Sequence, residues 1–476
     1  MYATRRRFLG SFVLGAAAVT VAACSQSTVP PVATSSTSTS STSRTPASAS
    51  ASTAAPVATA ATSAGPVTID VIAWNSGTSA EAFKNAMDGI NGKFKQKSPN
   101  VSVTFEMLGQ GATWTNAQKT RIAAQKVDVS AMYGFAPSDI INFQPDKQFI
   151  DLSNLASIKN FDQTNVNRFM SWKGKVWQMT LAYVGHIVWT NEDIFAKYNL
   201  KHPQTYADFQ KIGDTLKSSN IVPIIVGAKE QTSLNRFASM VEMTVQRPKH
   251  PQFWADLITQ GKADFTTPEW VETYKRAKEF SSKYFDPNFS GISYPTTAGL
   301  FASGKYAMMP DGSFAGGDIE AAKPTFQKLG AFTAAMADDP AANQVQPVYG
   351  DISWAGLNFS KNVDTVRNWI DFFGQKDNYQ TFMQVLQYYP TQLIDLTGPV
   401  PEAEAPLLKK TAVAMTRSTL PGMVLDIAFT ELLLSDKYTP ESYAQYVQKQ
   451  FDDSKPQWQK YVGMFDQDWA KLYFGQ

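Results

Sequence analysis

The sequence predicts an α/β protein with mixed, mainly parallel sheets covered by helices, divided into two domains behind an unstructured N-terminal stalk. Three observations carry this. Strand-like and helix-like segments alternate from Val67 onward, the pattern of a sheet covered on both faces. About 410 residues follow the stalk, more than one hydrophobic core holds. Residues 25–66, by contrast, are Ser, Thr, Ala, Pro and Val almost throughout, with Arg44 their only charge and no aromatic ring. Such a segment buries too little apolar surface to offset chain entropy and stays disordered. Its Ser/Thr/Pro composition also suits O-glycosylation.

The first element is an export signal over residues 1–23. Arg5, Arg6 and Arg7 precede an apolar run from Phe8 to Ala23, and small residues precede Cys24. That run falls short of the ~20 apolar residues of a membrane span, and no later stretch reaches that length. Cys24 is the only cysteine, so no intrachain disulfide forms. Val21-Ala22-Ala23-Cys24 resembles a bacterial lipobox, which implies lipidation of Cys24 and makes residues 24–66 a tether. Thr4-Arg5-Arg6-Arg7-Phe8-Leu9 fits a twin-arginine signal and a general secretory one equally. Formal charge is +2 and falls to about −1 without Arg5–Arg7, so no basic excess points to nucleic acid.

Val67 to Trp74 alternates and then becomes apolar, as in a strand entering a buried sheet. Phe83, Met87, Ile90 and Phe94 recur at helical spacing before Pro99. Val101, Val103 and Phe105 alternate as a second strand, a polar helix covers Thr113 to Gln125, and Val127 to Tyr133 reads as a third strand. Thr205 caps a helix with Phe209, Ile212 and Leu216 on one face, and Val222 to Val226 reads as a strand. Thr267-Pro268 opens a helix with Trp270, Tyr274, Ala277 and Phe280 as its core stripe. Tyr306 to Met309 is a short strand, and Val363–Phe373 and Ser442–Phe451 are helices.

Five stretches, in this order, resemble the extracellular solute-binding proteins of carbohydrate ABC importers, the maltodextrin-binding class. They are Ile69 to Trp74 followed by Ser98 to Val103; Gly174 to Gln178 running on to Asn191 to Phe195; Pro203 to Phe209; Phe301 to Met309 with Asp311-Gly312-Ser313-Phe314; and Tyr349 to Leu357 before Ser360-Lys361-Asn362. Thr190 and Phe314 stand where that class favours Tyr and Trp, and Thr180 falls near its usual Pro. The resemblance implies a two-lobe, type II periplasmic-binding-protein-like fold with the ligand cleft between the lobes. It puts residues 67–182 and 356–398 in one lobe and 183–355 and 399–476 in the other, with crossovers near Tyr183, Trp354 and Pro399. It implies a monomer without cofactor, anchored on the outer face of the membrane by lipid, that hands a sugar to ABC permease subunits.

A pyranose offers an apolar face and a rim of hydroxyls, so it calls for aromatic plates beside planar polar groups. In open α/β sheets such groups collect outside the carboxyl ends of strands. Trp74 and Asn75 end the first strand, and Tyr133 ends the third. Tyr183 lies at the first crossover, Asp311 and Phe314 follow the Met308-Met309 strand, and Asp351 and Trp354 lie on the return crossover. Met423 and His186 are lesser candidates, while His202 and His250 sit beside prolines in loops. With 12% aromatic residues, the competing reading of each ring is plain core. No nucleophile elbow, dinucleotide fingerprint, paired-His zinc motif or cysteine cluster is present, so an enzyme is not expected. The alternatives are the same fold binding a non-sugar solute or acting as a sensor, and a secreted glycoside hydrolase, which would need only two carboxylates brought together by the fold.

Overall fold

A computed structural model describes residues 65–74, 80–109, 111–229, 232–414 and 426–475. The expectations for Cys24, the export signal and nearly all of the tether, and for Asn75 and Met423, lie outside the described residues. The sheet contains β1 (Val67–Trp74), β2 (Val101–Leu108), β3 (Val129–Gly134), β6 (Met179–Asn191), β7 (Met308–Gly312), β8 (Leu329–Phe332), β9 (Val345–Gly356), β10 (Tyr389–Pro390) and β11 (Thr411–Ala414). A separate two-stranded ladder joins β4 (Ser171–Trp172) to β5 (Lys175–Val176).

The main order is β10-β6-β9-β3-β1-β2, with β7 and β8 on β6 and β11 on β9. Parallel pairing is confined to β1 with β2 and β3, and β9 with β11. The rest is antiparallel, so the sheet is mixed, as expected, with antiparallel pairing the larger share. The cause is the two long strands, β6 of 13 residues and β9 of 12, which run past one another in opposite senses.

β6 is the strand on which the fold turns. Met179–Gly185 pairs with β9, and His186–Asn191 pairs with β7 and β8. Its side chains are buried at every position but Tyr183, the continuous apolar pattern of a strand covered on both faces. One strand therefore belongs to two groups of strands, and the chain changes group between Gly185 and His186.

The helices follow their sequence signals closely. Ala80–Lys97 buries Phe83, Met87, Ile90 and Phe94. Tyr206–Ser218 starts at Thr205, whose hydroxyl and the Asp208 carboxylate form a reciprocal capping box. Pro268–Tyr284 opens with proline in its first turn and buries the expected stripe, and Val363–Phe373 has the expected bounds. The helix expected over Ser442–Phe451 runs further at both ends, Pro440–Trp458. Val222–Val226 is not a strand. Ile224 makes only isolated bridges to Phe285 and Met308, because Pro223 has no N–H to extend a ladder.

Candidate functional site

β1 and β3 lie side by side, and each carries a half-buried aromatic ring at its carboxyl end, Trp74 as the last residue of β1 and Tyr133 as the last but one of β3. Trp74 and Tyr133 stack at 4.6 Å between centroids, 24° apart, and Trp114 meets Trp74 edge-on at 5.8 Å. A bulge between Met132 and Gly134 breaks the β3–β9 register at this point, a device that re-aims a side chain. Gly134 and Gly350 touch backbone to backbone there, and a Cβ on Gly134 would stand 2.2 Å from the Gly350 Cα. Gln178 ties the bend down by donating to the Tyr133 carbonyl at 3.0 Å and to Ser353 Oγ at 3.1 Å.

The end of β7 supplies a second group. The buried Asp311 carboxylate accepts from the Gly312 N–H at 2.7 Å and pairs with Arg236 Nε at 3.2 Å. The Arg236 guanidinium lies over Tyr294 at 4.7 Å and Phe314 at 5.0 Å. Phe314 in turn faces Tyr388 at 6.2 Å. Burial pushes the Asp311 carboxyl above its ordinary range, with Arg236 pulling it back. Burial also pushes up the Tyr294 and Tyr388 phenols, and nearby carboxylates add to it: Asp311 and Asp318 at Tyr294, Asp351 and Asp318 at Tyr388.

The return strand is the third component. Asp351 is 6% exposed and accepts from the Ile352 N–H at 2.9 Å. Ile352 has φ of 34°, a conformation that a β-branched residue adopts only under constraint and that clusters at functional sites.

Strand parity decides which candidates share a side. Asp351 pairs with Ala182, whereas Tyr183 pairs with Gly350 and Tyr389, and Trp354 with Met179. Successive residues alternate faces, so Asp351 and Tyr349 point to one side and Tyr183 and Trp354 to the other. Trp354 is therefore corrected to a core residue, fully buried against Trp369 at 5.5 Å and Phe373 at 5.8 Å. Tyr183, the one half-buried position of β6, packs on Phe169 and Tyr389, on the face opposite Asp351, and burial, with Glu404 nearby, pushes its phenol up to about 12. Trp74, Tyr133, Asp311, Phe314 and Asp351 remain as candidates.

Four contributors carried no sequence signal: Arg236, Tyr294, Tyr388 and Trp114. They come from helices and a loop without a motif, and only the fold assembles them.

The arrangement offers aromatic plates beside carboxylates and one guanidinium, a set suited to a polyhydroxylated ligand. His186 Nδ1 lies 2.5 Å from Ser239 Oγ, and Ser239 Oγ donates to the Arg236 carbonyl at 2.8 Å. His202 and His250 pair with Glu192 and Glu269. Among the described residues no group of acidic, His or Cys side chains could hold a metal, and no helix is long and apolar enough to cross a membrane.

Residues 91–393 match a family described as bacterial extracellular solute-binding protein. A Mesorhizobium japonicum protein named "probable sugar-binding periplasmic protein" is 25% identical over 262 residues, which is 53% of this chain and 59% of that protein. The match thus spans less than two thirds of the relative. Among solved structures, a chitin oligosaccharide binding protein superposes with a TM-score of 0.69 at 19% identity, covering 82% of this chain and 99% of the other. RafE in complex with raffinose gives 0.68 at 16% identity, with coverage of 82% and 99%.

Proposed function

Because the chain belongs to the bacterial extracellular solute-binding protein family and has the two-lobed type II periplasmic-binding fold, we propose that it captures a sugar or oligosaccharide by hinge closure and delivers it to an ABC permease. The observation that supports this is the cluster of Phe314, Asp311 and Arg236, from beyond the crossover on β6, which Tyr388 links to the return strand by facing Phe314 and feeling the charge of Asp351. Trp74 and Tyr133 supply a stacked pair, and Asn75, next in the sequence, is kept as a proposed ligand contact. The structural neighbours bound to raffinose and named for chitin oligosaccharide support a carbohydrate.

Residues 67–182 and 356–398 form one lobe, and 183–355 and 399–476 the other. The switch of partners on β6 between Gly185 and His186 supports a crossover there. Hinge closure of this kind turns ligand binding into a shape that a permease selects. Cys24 carries the lipid anchor, residues 25–66 tether the monomer outside the cell, and export runs by the twin-arginine or the general route. The protein binds without catalysing, a reading supported by its family of solute-binding proteins.

The test is a thermal-shift screen of mono- and oligosaccharides on the purified protein. At least one raises Tm by mass action on the folded state, about 2.7 kcal/mol at a ligand concentration 100 times Kd. A screen in which amino acids or peptides stabilise the protein and no sugar does overturns the carbohydrate assignment. Turnover of the bound oligosaccharide overturns the binding-only reading.

A further inference from the structure

Phe314 is half-buried, and the two residues before it are fastened to β6. Ser313 is fully buried and bonded twice to Gly185, the last residue of β6 to pair with β9. Its N–H donates to the Gly185 carbonyl at 2.8 Å, and its Oγ accepts from the Gly185 N–H at 3.2 Å. Gly312 is held through both of its main-chain polar groups. Its N–H donates to Asp311 Oδ1 at 2.7 Å, and its carbonyl accepts from Trp189 Nε1 at 3.1 Å.

Gly312 also makes room. A Cβ there would stand 2.1 Å from Phe314 Cε1 and 2.5 Å from its Cδ1, far inside the roughly 3.5–4.0 Å at which carbon atoms pack. The Phe314 ring thus occupies the space that any side chain at 312 would fill, and it lies against bare main chain. The Arg236 guanidinium lies over the same ring at 5.0 Å, and Tyr388 meets it at 6.2 Å. Main chain held at both its N–H and its carbonyl gives way little, so the orientation of the ring is set before any ligand arrives. A plate already oriented spares the entropy of ordering it on binding.

We propose that Gly312 is a positioning residue for sugar binding: its bare main chain is the floor on which the Phe314 ring rests, and it presets that ring as a plate fixed to the crossover strand. The inference rests on the sugar-capture reading and deepens it. Gly312 acts through the ring, so its contribution vanishes when the ring is gone.

The experiment is calorimetric titration of the best sugar from the screen into the wild type, Gly312→Ala, Phe314→Ala and the double variant. Gly312→Ala is expected to bind roughly ten-fold more weakly, the worth of one side chain that must be ordered on binding. Phe314→Ala loses at least as much. The double variant binds as Phe314→Ala does, because the added methyl has no ring left to displace. A merely structural role for Gly312 would add its own loss in the double variant. Losses that multiply, or wild-type affinity in Gly312→Ala or Phe314→Ala, overturn this proposal alone. Should Gly312→Ala fail to fold, para-fluorophenylalanine at position 314 reports on the ring by fluorine NMR. One resonance in the ligand-free protein, shifted by sugar, is expected; several resonances that merge on adding sugar, or one that sugar does not move, overturn the preset plate. A wild type that binds no sugar overturns the capture reading, and this one with it.

Discussion

Trp354→Ala lowers the unfolding free energy by about 3–5 kcal/mol, the range for removing a large buried ring, and leaves the sugar affinity of the folded protein unchanged. Trp354 is fully buried and sits between Ala131 and Met179 in the sheet. Its ring meets Trp369 and Phe373 of the helix Val363–Phe373. Deleting it opens a cavity that the rigid sheet cannot close. Urea unfolding measures the loss, and titration at a temperature where the variant is folded measures affinity. An affinity loss of ten-fold or more at nearly wild-type stability would return Trp354 to the site. Asp351, three residues earlier, gives the converse: Asp351→Asn costs affinity and little stability, because its side chain emerges on the other face.

That contrast explains what the sequence could and could not disclose. Periodicity and capping chemistry are local, so the helix of Phe83 to Phe94, the Thr205 cap and the Pro268 start were legible residue by residue. The family motifs likewise brought Asp311, Phe314 and Asp351 forward as candidates. What stayed hidden is parity. Tyr183 and Trp354 lie within motifs next to the crossover, yet which face a strand residue takes depends on its ladder partner. The bulge at Met132–Gly134 and the turn at Ile352 are invisible in composition. Arg236, Tyr294, Tyr388 and Trp114 were hidden for a second reason. Each occupies a segment whose local pattern says only helix or loop, and their proximity exists only after β6 has carried the chain across. The strand expected at Val222–Val226 fails more simply: apolar content overrode the missing N–H of Pro223.

The helix Thr232–Val245 also carries the second large effect. It presents Arg236 to the site and Glu242 to its other surroundings, where the carboxylate accepts from Trp254 Nε1. Burial pushes the Glu242 carboxyl up to about 7 from an ordinary 4.5, against smaller opposing contributions from the Trp254 hydrogen bond and Arg247. The sign follows from proton counting. Between pH 4.5 and 7 the folded protein keeps a proton that the unfolded chain has released, so the stability this group supports is whole below 4.5. It is lost as pH rises to about 7, and level above. At 1.36 kcal/mol per pH unit the full swing is about 3 kcal/mol. Glu242 keeps some solvent contact, and water offsets part of the cost, so about 1–3 kcal/mol is expected. Glu242→Gln retains an oxygen for the Trp254 N–H and has nothing to ionise. It should match the wild type at pH 4, exceed it by that amount at pH 8, and leave sugar affinity unaltered, since Arg236 lies well over a helical turn away on the same helix. Urea unfolding of both proteins at the two pH values decides the matter. A variant that is weaker at pH 8 would mean that Glu242 is ionised there and that Arg247 gains from its charge.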